Sequence, residues 1–208
     1  MKRKTFFLAF MAASTLIAGC ATTMSDAEIS KKALMVMKSS FKEHGQAKLD
    51  RLDQDELMAT CSLYETPDKV PKDVTHRLEQ AQIKTIRYPV DGKLLGNWKE
   101  GEKIAQSGRG MQYNDDPTDG AGGNCYACHQ LSKEEVSFGS IGPSLLGFGK
   151  TRGNSEEVRK YAFGKVYNSQ AFSACSNMPR FGHNGILTEQ QIKDVVALLL
   201  DPESPVNK

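Results

Sequence analysis

The apolar positions in the C-terminal half of the chain predict two amphipathic helices. One stripe has approximately helical spacing and includes a glycine, Gly101, where two helices could approach closely; it is formed by Leu95, Trp98, Ile104 and Ala105. A second stripe follows the capping-box pair Thr188 and Gln191 and is stopped by Asp201-Pro202; it is formed by Ile192, Val195, Val196, Leu198 and Leu199. We expect these segments to be the first and last helices of an all-α domain.

The N-terminal stretch from Ser25 to Ala59 also has a helical pattern, with lysines between the apolar residues Ala33, Leu34, Val36, Met37 and Phe41. Such a stretch is either a partner-binding arm or a strap over the C-terminal region. The strap is favoured because amphipathic helices usually pack on their own chain. Pro67 and Pro71 predict a bend before residues 74–83, and the glycine-rich segment from Gly139 to Gly153 predicts a loop.

The first residues of the chain predict an export signal over residues 1–19. Three basic residues precede an apolar run, Phe6 to Ile17, that is too short to cross a bilayer of about 30 Å as a helix. The run closes with Leu16-Ile17-Ala18-Gly19-Cys20, which looks like a bacterial lipobox, so Cys20 is expected to be the lipidated first residue. Ordinary cleavage after Ala21 is the alternative. Both readings place the mature chain in the periplasm, and alanine rather than aspartate after Cys20 points an anchor to the outer membrane.

Composition and charge narrow the classes of partner. The chain has 208 residues, of which 39% are hydrophobic and 25% charged, so it is long enough for one domain with appendages and can bury a core. Without residues 1–19 it carries 24 basic and 25 acidic residues. A chain so close to neutrality has no electrostatic footprint for a phosphate backbone, so nucleic acid is not an expected partner.

One short motif carries chemistry, Cys125-Tyr126-Ala127-Cys128-His129. Two thiols at i and i+3 can reach the two vinyl groups of one porphyrin, and His129 at i+4 can reach its iron, so the motif predicts one covalently bound haem c. A zinc site would need a second Cys or His pair at matching spacing, and the sequence has none. A thioredoxin-type redox pair would follow a strand, whereas a glycine-rich segment precedes Cys125.

The second axial ligand of the iron can be sought among the residues after His129. That part of the chain has one methionine, one histidine and one cysteine, which are Met178, His183 and Cys175. Met178 precedes a proline in a segment whose proline and glycine favour an irregular backbone, and methionine is a usual partner of histidine in cytochromes c. Met178 is therefore the favoured ligand, with His183 and Cys175 as alternatives.

The turn around Pro143 offers a partner for the proximal histidine. Its carbonyl could accept the Nδ1 proton of His129, which would fix the imidazole and increase its donor strength. The alternative is that Pro143 only forms a turn.

Several segments together resemble one family of cytochromes. They are residues 94–101, residues 105–110, the haem motif, Gly142-Pro143-Ser144-Leu145 and Met178-Pro179-Arg180-Phe181-Gly182. The combination resembles SoxX, the monohaem cytochrome subunit of the SoxAX complex in bacterial thiosulfate oxidation, over about residues 83–202. By match of motif, Cys125, Cys128, His129 and Met178 take the haem roles, and no substrate-binding role passes to this chain.

The resemblance implies a place in a larger enzyme. SoxAX is a heterodimeric L-cysteine S-thiosulfotransferase that joins thiosulfate to a cysteine of the carrier protein SoxYZ, and its active-site haem belongs to SoxA. The expected partners are thus a SoxA-type cytochrome, a SoxYZ-type carrier and a downstream electron acceptor. The alternative is a lipid-anchored cytochrome c that shuttles electrons to an oxidase.

The expected division of the chain is an export signal (1–19), an N-terminal and mainly helical extension (20–82) and a class I cytochrome c-like domain (83–208). Two cysteines remain without a role, Cys61 and Cys175. In an oxidising compartment a leftover pair is expected to be bonded, which would attach the segment of Met178 to the extension. The alternative is a free Cys175 thiol, or one that pairs with another subunit.

Overall fold

The computed structural model describes residues 24–208, and the predicted export signal and Cys20 lie outside the described residues. Seven α-helices occur in the described part: α1 (Asp26–Ser40), α2 (Glu56–Ser62), α3 (Lys72–Ile83), α4 (Trp98–Gln106), α5 (Phe148–Arg152), α6 (Glu156–Tyr167) and α7 (Glu189–Leu200). Short 3₁₀ turns lie between them, and residues 24–208 contain no strand beyond an isolated bridge between His44 and Ala47. The all-α prediction is confirmed.

The chain divides into two units, one ending at Phe41 and one formed by Lys42–Lys208. Within the described part, the first unit contains α1. Ser25 caps this helix by accepting the N–H of Glu28, whose carboxylate in turn accepts the N–H of Ser25 at 2.8 Å. No residue of α1 is buried. The helix therefore forms through local capping and propensity rather than through a buried face.

Helices α4 and α7 pack against each other at the centre of the second unit. Their close approach depends on Gly101, because a Cβ there would overlap the backbone carbonyl of Asp194 and lie 3.0 Å from the Cβ of Leu198. Asp194 Oδ1 also accepts the N–H of Asn97 at 2.8 Å, which fixes the start of α4 on α7. Both predicted terminal helices and the Thr188–Gln191 capping box are confirmed.

Two hydrophobic clusters hold the second unit together. The first cluster is built mainly from α4, α6 and α7, and its fully buried side chains include Phe163, Ile192 and Leu198. The second cluster joins α2 and α3 to the segment before Met178; it comprises Leu57, Leu78 and Ala174, with Cys61, Val74 and Cys175 packed around them. Residues 42–82 therefore pack within the same compact unit as the region predicted to bind haem.

The structure departs from the sequence prediction in three places. The helical pattern predicted from Ser25 to Ala59 is interrupted after Ser40, where the chain turns through Gly45 at φ +54° before α2 begins. Helix α6 follows a Ser155 cap and an acidic first turn, signals that the apolar pattern alone did not single out. Helix α5 occupies the end of the segment predicted as a loop.

Candidate haem site

The Cys-x-x-Cys-His motif forms one tight turn on the surface of the first cluster. Asn124 enters it with φ +46°, a left-handed conformation that asparagine tolerates better than most residues. The N–H groups of Cys128 and His129 both donate to the carbonyl of Cys125, at 3.1 and 2.9 Å. The turn thus presents two thiols and an imidazole within five residues, and both thiols are free of any disulfide.

The surroundings of Cys125 are apolar. Its side chain packs against the first hydrophobic cluster, and burial raises the pKa of its thiol to about 12. Cys128 is half-buried. At neutral pH the Cys125 sulfur is therefore a protonated thiol.

The backbone holds the His129 ring in one orientation. Its Nδ1–H donates to the carbonyl oxygen of Pro143 at 2.7 Å, which is the partner that the sequence suggested. The backbone of Gly142 contacts the same ring so closely that a Cβ at this position would overlap the imidazole. With Nδ1 engaged, Nε2 is the ring nitrogen that remains for a metal.

Met178 lies beside the same cluster as Cys125. The side chain is half-buried against the first cluster, and the backbone is held on both sides. The Met178 N–H donates to Ser176 Oγ at 3.2 Å, and the hydroxyl of the buried Ser169 donates to the Met178 carbonyl. The segment therefore has a fixed backbone with its thioether on the apolar side.

The two alternative ligands lie in other environments. Cys175 forms a disulfide with Cys61, with Cα atoms 5.6 Å apart, so it has no thiolate to offer. His183 is exposed, and its Nδ1 lies 3.2 Å from Thr85 Oγ1. Partial desolvation of the ring, followed by the Arg180 charge, lowers the pKa of His183. The Asp55 charge acts in the opposite direction and raises it. These observations favour Met178 as the second ligand.

Residues of α2 and α3 hold the Met178 segment from outside the first cluster. Besides the disulfide, the N–H of Ala174 donates to Glu79 Oε1 at 3.1 Å. Arg180 is only 8% exposed, and its guanidinium pairs with Asp55 Oδ2 at 2.6 Å. Sequence reasoning missed this ion pair because its members are 125 residues apart. Only the role of Asp55 as a helix cap had a local signal.

The Asp55 carboxylate has two partners that favour its charged form. Burial alone would raise its pKa, but the N–H of Met58 and the Arg180 guanidinium outweigh burial, so the pKa of Asp55 lies below its ordinary value. A carboxylate of lowered pKa stabilises the fold above its unfolded-state pKa, and this contribution is lost as pH falls through the native pKa.

The variant Asp55→Asn tests this contribution, because asparagine keeps the helix cap and removes only the charge. We expect a loss of about 1 kcal/mol at neutral pH, kept small because the Asp55 side chain is 40% exposed. The difference from the wild-type chain should shrink as pH falls below about 4. Urea unfolding at several pH values measures it, and a difference that persists unchanged in acid would contradict the ion-pair explanation.

Together these residues fit a covalently attached haem. Cys125 and Cys128 lie on one turn, His129 is oriented by a backbone carbonyl, and the thioether of Met178 borders the same apolar cluster. Soft sulfur and neutral imidazole are donors that suit haem iron. Elsewhere in the described residues, no cluster of three or more His, Cys, Asp or Glu side chains could hold a metal ion.

Comparison with known proteins relates the chain to a family model, a sequence relative and a solved structure. A family model described as cytochrome c matches residues 99–201. An uncharacterized lipoprotein of Aquifex aeolicus (strain VF5) is 34% identical over 213 residues, and the alignment covers both chains completely. A crystal structure of SoxXA from P. pantotrophus is 30% identical and covers 51% of this chain and 82% of that one, with a TM-score of 0.36.

Proposed function

Because the chain belongs to one family with the Aquifex lipoprotein and contains a cytochrome c domain with one covalently bound haem c, we propose that it is the electron-transfer subunit of a SoxAX-type L-cysteine S-thiosulfotransferase. Electron transfer by a cytochrome c domain follows from the family match. The assignment to a SoxAX-type enzyme is supported by one observation: every segment that resembles SoxX contributes side chains to the first cluster, against which the haem motif packs.

Contacts between these segments support the proposal. Residues 94–101 join α7 through the N–H of Gly96, which donates to the Lys193 carbonyl at 2.9 Å. Residues 105–110 approach the motif where the N–H of Asn124 donates to the Ser107 carbonyl, also at 2.9 Å. The Gly142-Pro143 segment contacts His129 directly. The resemblance therefore covers residues that build the site, not only the five-residue motif that all c-type cytochromes share.

Each residue of the site has a defined task in this proposal. Cys125 and Cys128 would anchor the cofactor through thioether bonds, and His129 and Met178 would supply the donor atoms that hold its iron. When bound, the haem supplies reversible one-electron chemistry. The Met178 thioether favours the ferrous state more than an imidazole or thiolate would, which gives this chain a high reduction potential and suits it to be an electron exit.

The reaction requires a partner because of its electron count. When the terminal sulfur of thiosulfate bonds to a cysteine thiolate of the carrier, an S–S bond forms and two electrons leave. This chain carries one haem and accepts one electron at a time. We therefore assign the bond-forming site to a SoxA-type cytochrome, and this chain passes the electrons one by one to a downstream acceptor.

We also propose that the chain is lipid-anchored through Cys20 and lies in the periplasm, with the outer membrane as the site of the anchor. The support is the lipobox-like ending of residues 16–20 and the full-length likeness to a protein described as a lipoprotein. No helix of residues 24–208 is long and apolar enough to cross a membrane.

The subunit proposal predicts that the purified holoprotein alone will not modify a carrier cysteine with thiosulfate. Adding a SoxA-type cytochrome should start the modification and, with it, reduction of this haem. Mass spectrometry of the carrier and absorption spectroscopy of the haem measure the two events. Steady turnover by this chain alone would contradict the proposal.

A lipid-anchored shuttle to an oxidase is the competing function, and the likeness to a lipoprotein is the observation that favours it. The two functions differ in their stable partners. Purification of the native protein from membranes with a second cytochrome supports the subunit, whereas purification as a single haem protein that reduces an oxidase supports the shuttle.

A further inference from the structure

Helix α1 exposes large apolar side chains. None of its residues is buried, and the exposed fraction is 51% for Ile29 and 56% for Val36. Large apolar side chains exposed in a continuous group commonly mark a surface that contacts another phase or molecule.

Most of the large apolar side chains of α1 lie on one side of the helix; Met35, on the opposite side, is the exception. At 100° per residue, Ile29, Ala33, Val36 and Met37 fall on one face, and Leu34 widens it. Asp26, Ser30 and Ser40 also fall on this face; Asp26 is in the first turn, where a carboxylate favours the helix N-terminus, and Ser40 is the last residue of the helix.

Lysines lie along both borders of the apolar face. Lys32 is next to Val36 on one border, and Lys31 and Lys38 are next to Leu34 on the other. Glu28 falls near the middle of the opposite, polar face. This arrangement lets lysine stems cover apolar surface while their ammonium groups reach a plane of phosphates, and it keeps the carboxylate in water.

We propose that α1 lies in the surface of an anionic phospholipid membrane, with its apolar face toward the acyl chains and its border lysines on lipid phosphates. The inference rests on the proposed lipid anchor at Cys20. Ser25, which caps α1, comes five residues after Cys20, and five residues reach at most about 18 Å. An anchored Cys20 therefore holds α1 at the membrane surface.

The length and composition of α1 suit a helix that lies on the bilayer. Its 15 residues extend about 22 Å, which is short of the roughly 30 Å hydrocarbon core. A surface helix would add two contributions to the acyl anchor, buried apolar area and the attraction of lysines to lipid phosphates. Stable attachment to a membrane usually needs more than one such contribution. The position of the lysines, on both borders rather than along one, favours a flat anionic surface over a single protein partner.

The test compares two labelled variants of the holoprotein, Ala33→Cys and Met35→Cys. Both residues are exposed, and they lie about 160° apart around α1, so the Ala33 label faces the acyl chains and the Met35 label faces water. The introduced thiol is the one that reacts with the label, because Cys61 and Cys175 are bonded and the other cysteines are modified in the lipidated holoprotein. The probe is a vesicle of phosphatidylethanolamine and phosphatidylglycerol, and the readout is quenching of the attached fluorophore by acrylamide.

On these vesicles we expect quenching at position 33 to fall severalfold while quenching at position 35 stays unchanged. Equal quenching at the two positions overturns the proposal. Protection of position 33 in detergent-free buffer without vesicles also overturns it, since protein then covers the face.

A charge variant tests the role of the lysines. Combining Lys31→Glu with Lys32→Glu should reduce the protection at position 33 on phosphatidylglycerol vesicles. The matched control combines Lys69→Glu with Lys72→Glu, because both lysines are exposed and lie outside α1. An equal effect of the control contradicts a local role of the border lysines.

Mass spectrometry of the N-terminal peptide shows whether Cys20 carries a lipid, and so tests the anchor separately from the membrane contact of α1. If the chain begins after Ala21 instead, the same two labels on the same vesicles still decide whether α1 binds lipid through one face. The thiosulfate assay described above is independent of both results.

Discussion

Replacing Met178 with alanine is expected to abolish the sulfur-to-iron absorption band in the far red and to lower the reduction potential. Met178 is the only methionine after the haem motif, and its side chain borders the cluster against which Cys125 packs. The potential should fall by on the order of 100 mV, within the roughly 0.8 V range that axial ligands set. Absorption spectroscopy and a redox titration of the purified holoprotein measure both effects.

The exposed Met35 provides the matched control, because Met35→Ala removes the same side chain from a helix without buried residues. Its band and potential should equal those of the wild-type protein. An unchanged potential, with no sulfur-to-iron band in either protein, would contradict the assignment and transfer the role to His183, since the Cys175 sulfur is bonded to Cys61.

Removing the Cys61–Cys175 disulfide is expected to have the largest effect on stability. The bridge links residues 114 positions apart, and the chain-entropy model gives about 4 to 5 kcal/mol for a loop of that size. The double variant Cys61→Ser, Cys175→Ser avoids an unpaired thiol. We expect it to unfold at lower urea concentration and its ferric iron to bind added imidazole more readily, because Cys175 lies three residues before Met178.

Imidazole binding distinguishes a restraint on Met178 from a general loss of stability. Asp55→Asn weakens a different attachment of the same segment and should raise imidazole binding less than the double variant does. Imidazole affinity equal to that of the wild-type protein would show that the bridge does not restrain Met178. Two reactive thiols in the denatured, unreduced wild-type holoprotein, beyond the thioether pair, would exclude the bridge itself.

Local signals were sufficient for much of this molecule. The Thr188 capping box, the apolar stripe of α7 and the glycine at the α4–α7 contact can all be read within a few residues, and the structure contains them. The Cys61–Cys175 bridge can be predicted for a different reason: once the export and haem cysteines have their roles, no other pairing remains.

Long-range polar contacts could not be predicted in this way. The pairing of Arg180 with Asp55 depends on α2 packing beside the Met178 segment, and no periodicity in the sequence encodes that proximity. Buried Asn168 donates to both Gln82 and Thr85, more than 80 positions away, for the same reason. The sequence therefore predicts the helical pattern of the extension before residue 83, but not the contacts of that extension with the Met178 segment.

The apolar setting of Cys125 has a consequence for how the protein matures. Four thiols reach the periplasm in this proposal, and of the six single disulfides that four thiols allow, only Cys61–Cys175 leaves both haem thiols reduced. Disulfide exchange requires a thiolate as the attacking group, and the raised pKa of Cys125 makes its thiolate rare once the first cluster has formed. Early folding of α4 and α7 would therefore slow disulfide exchange by Cys125 and favour oxidation of Cys61 and Cys175.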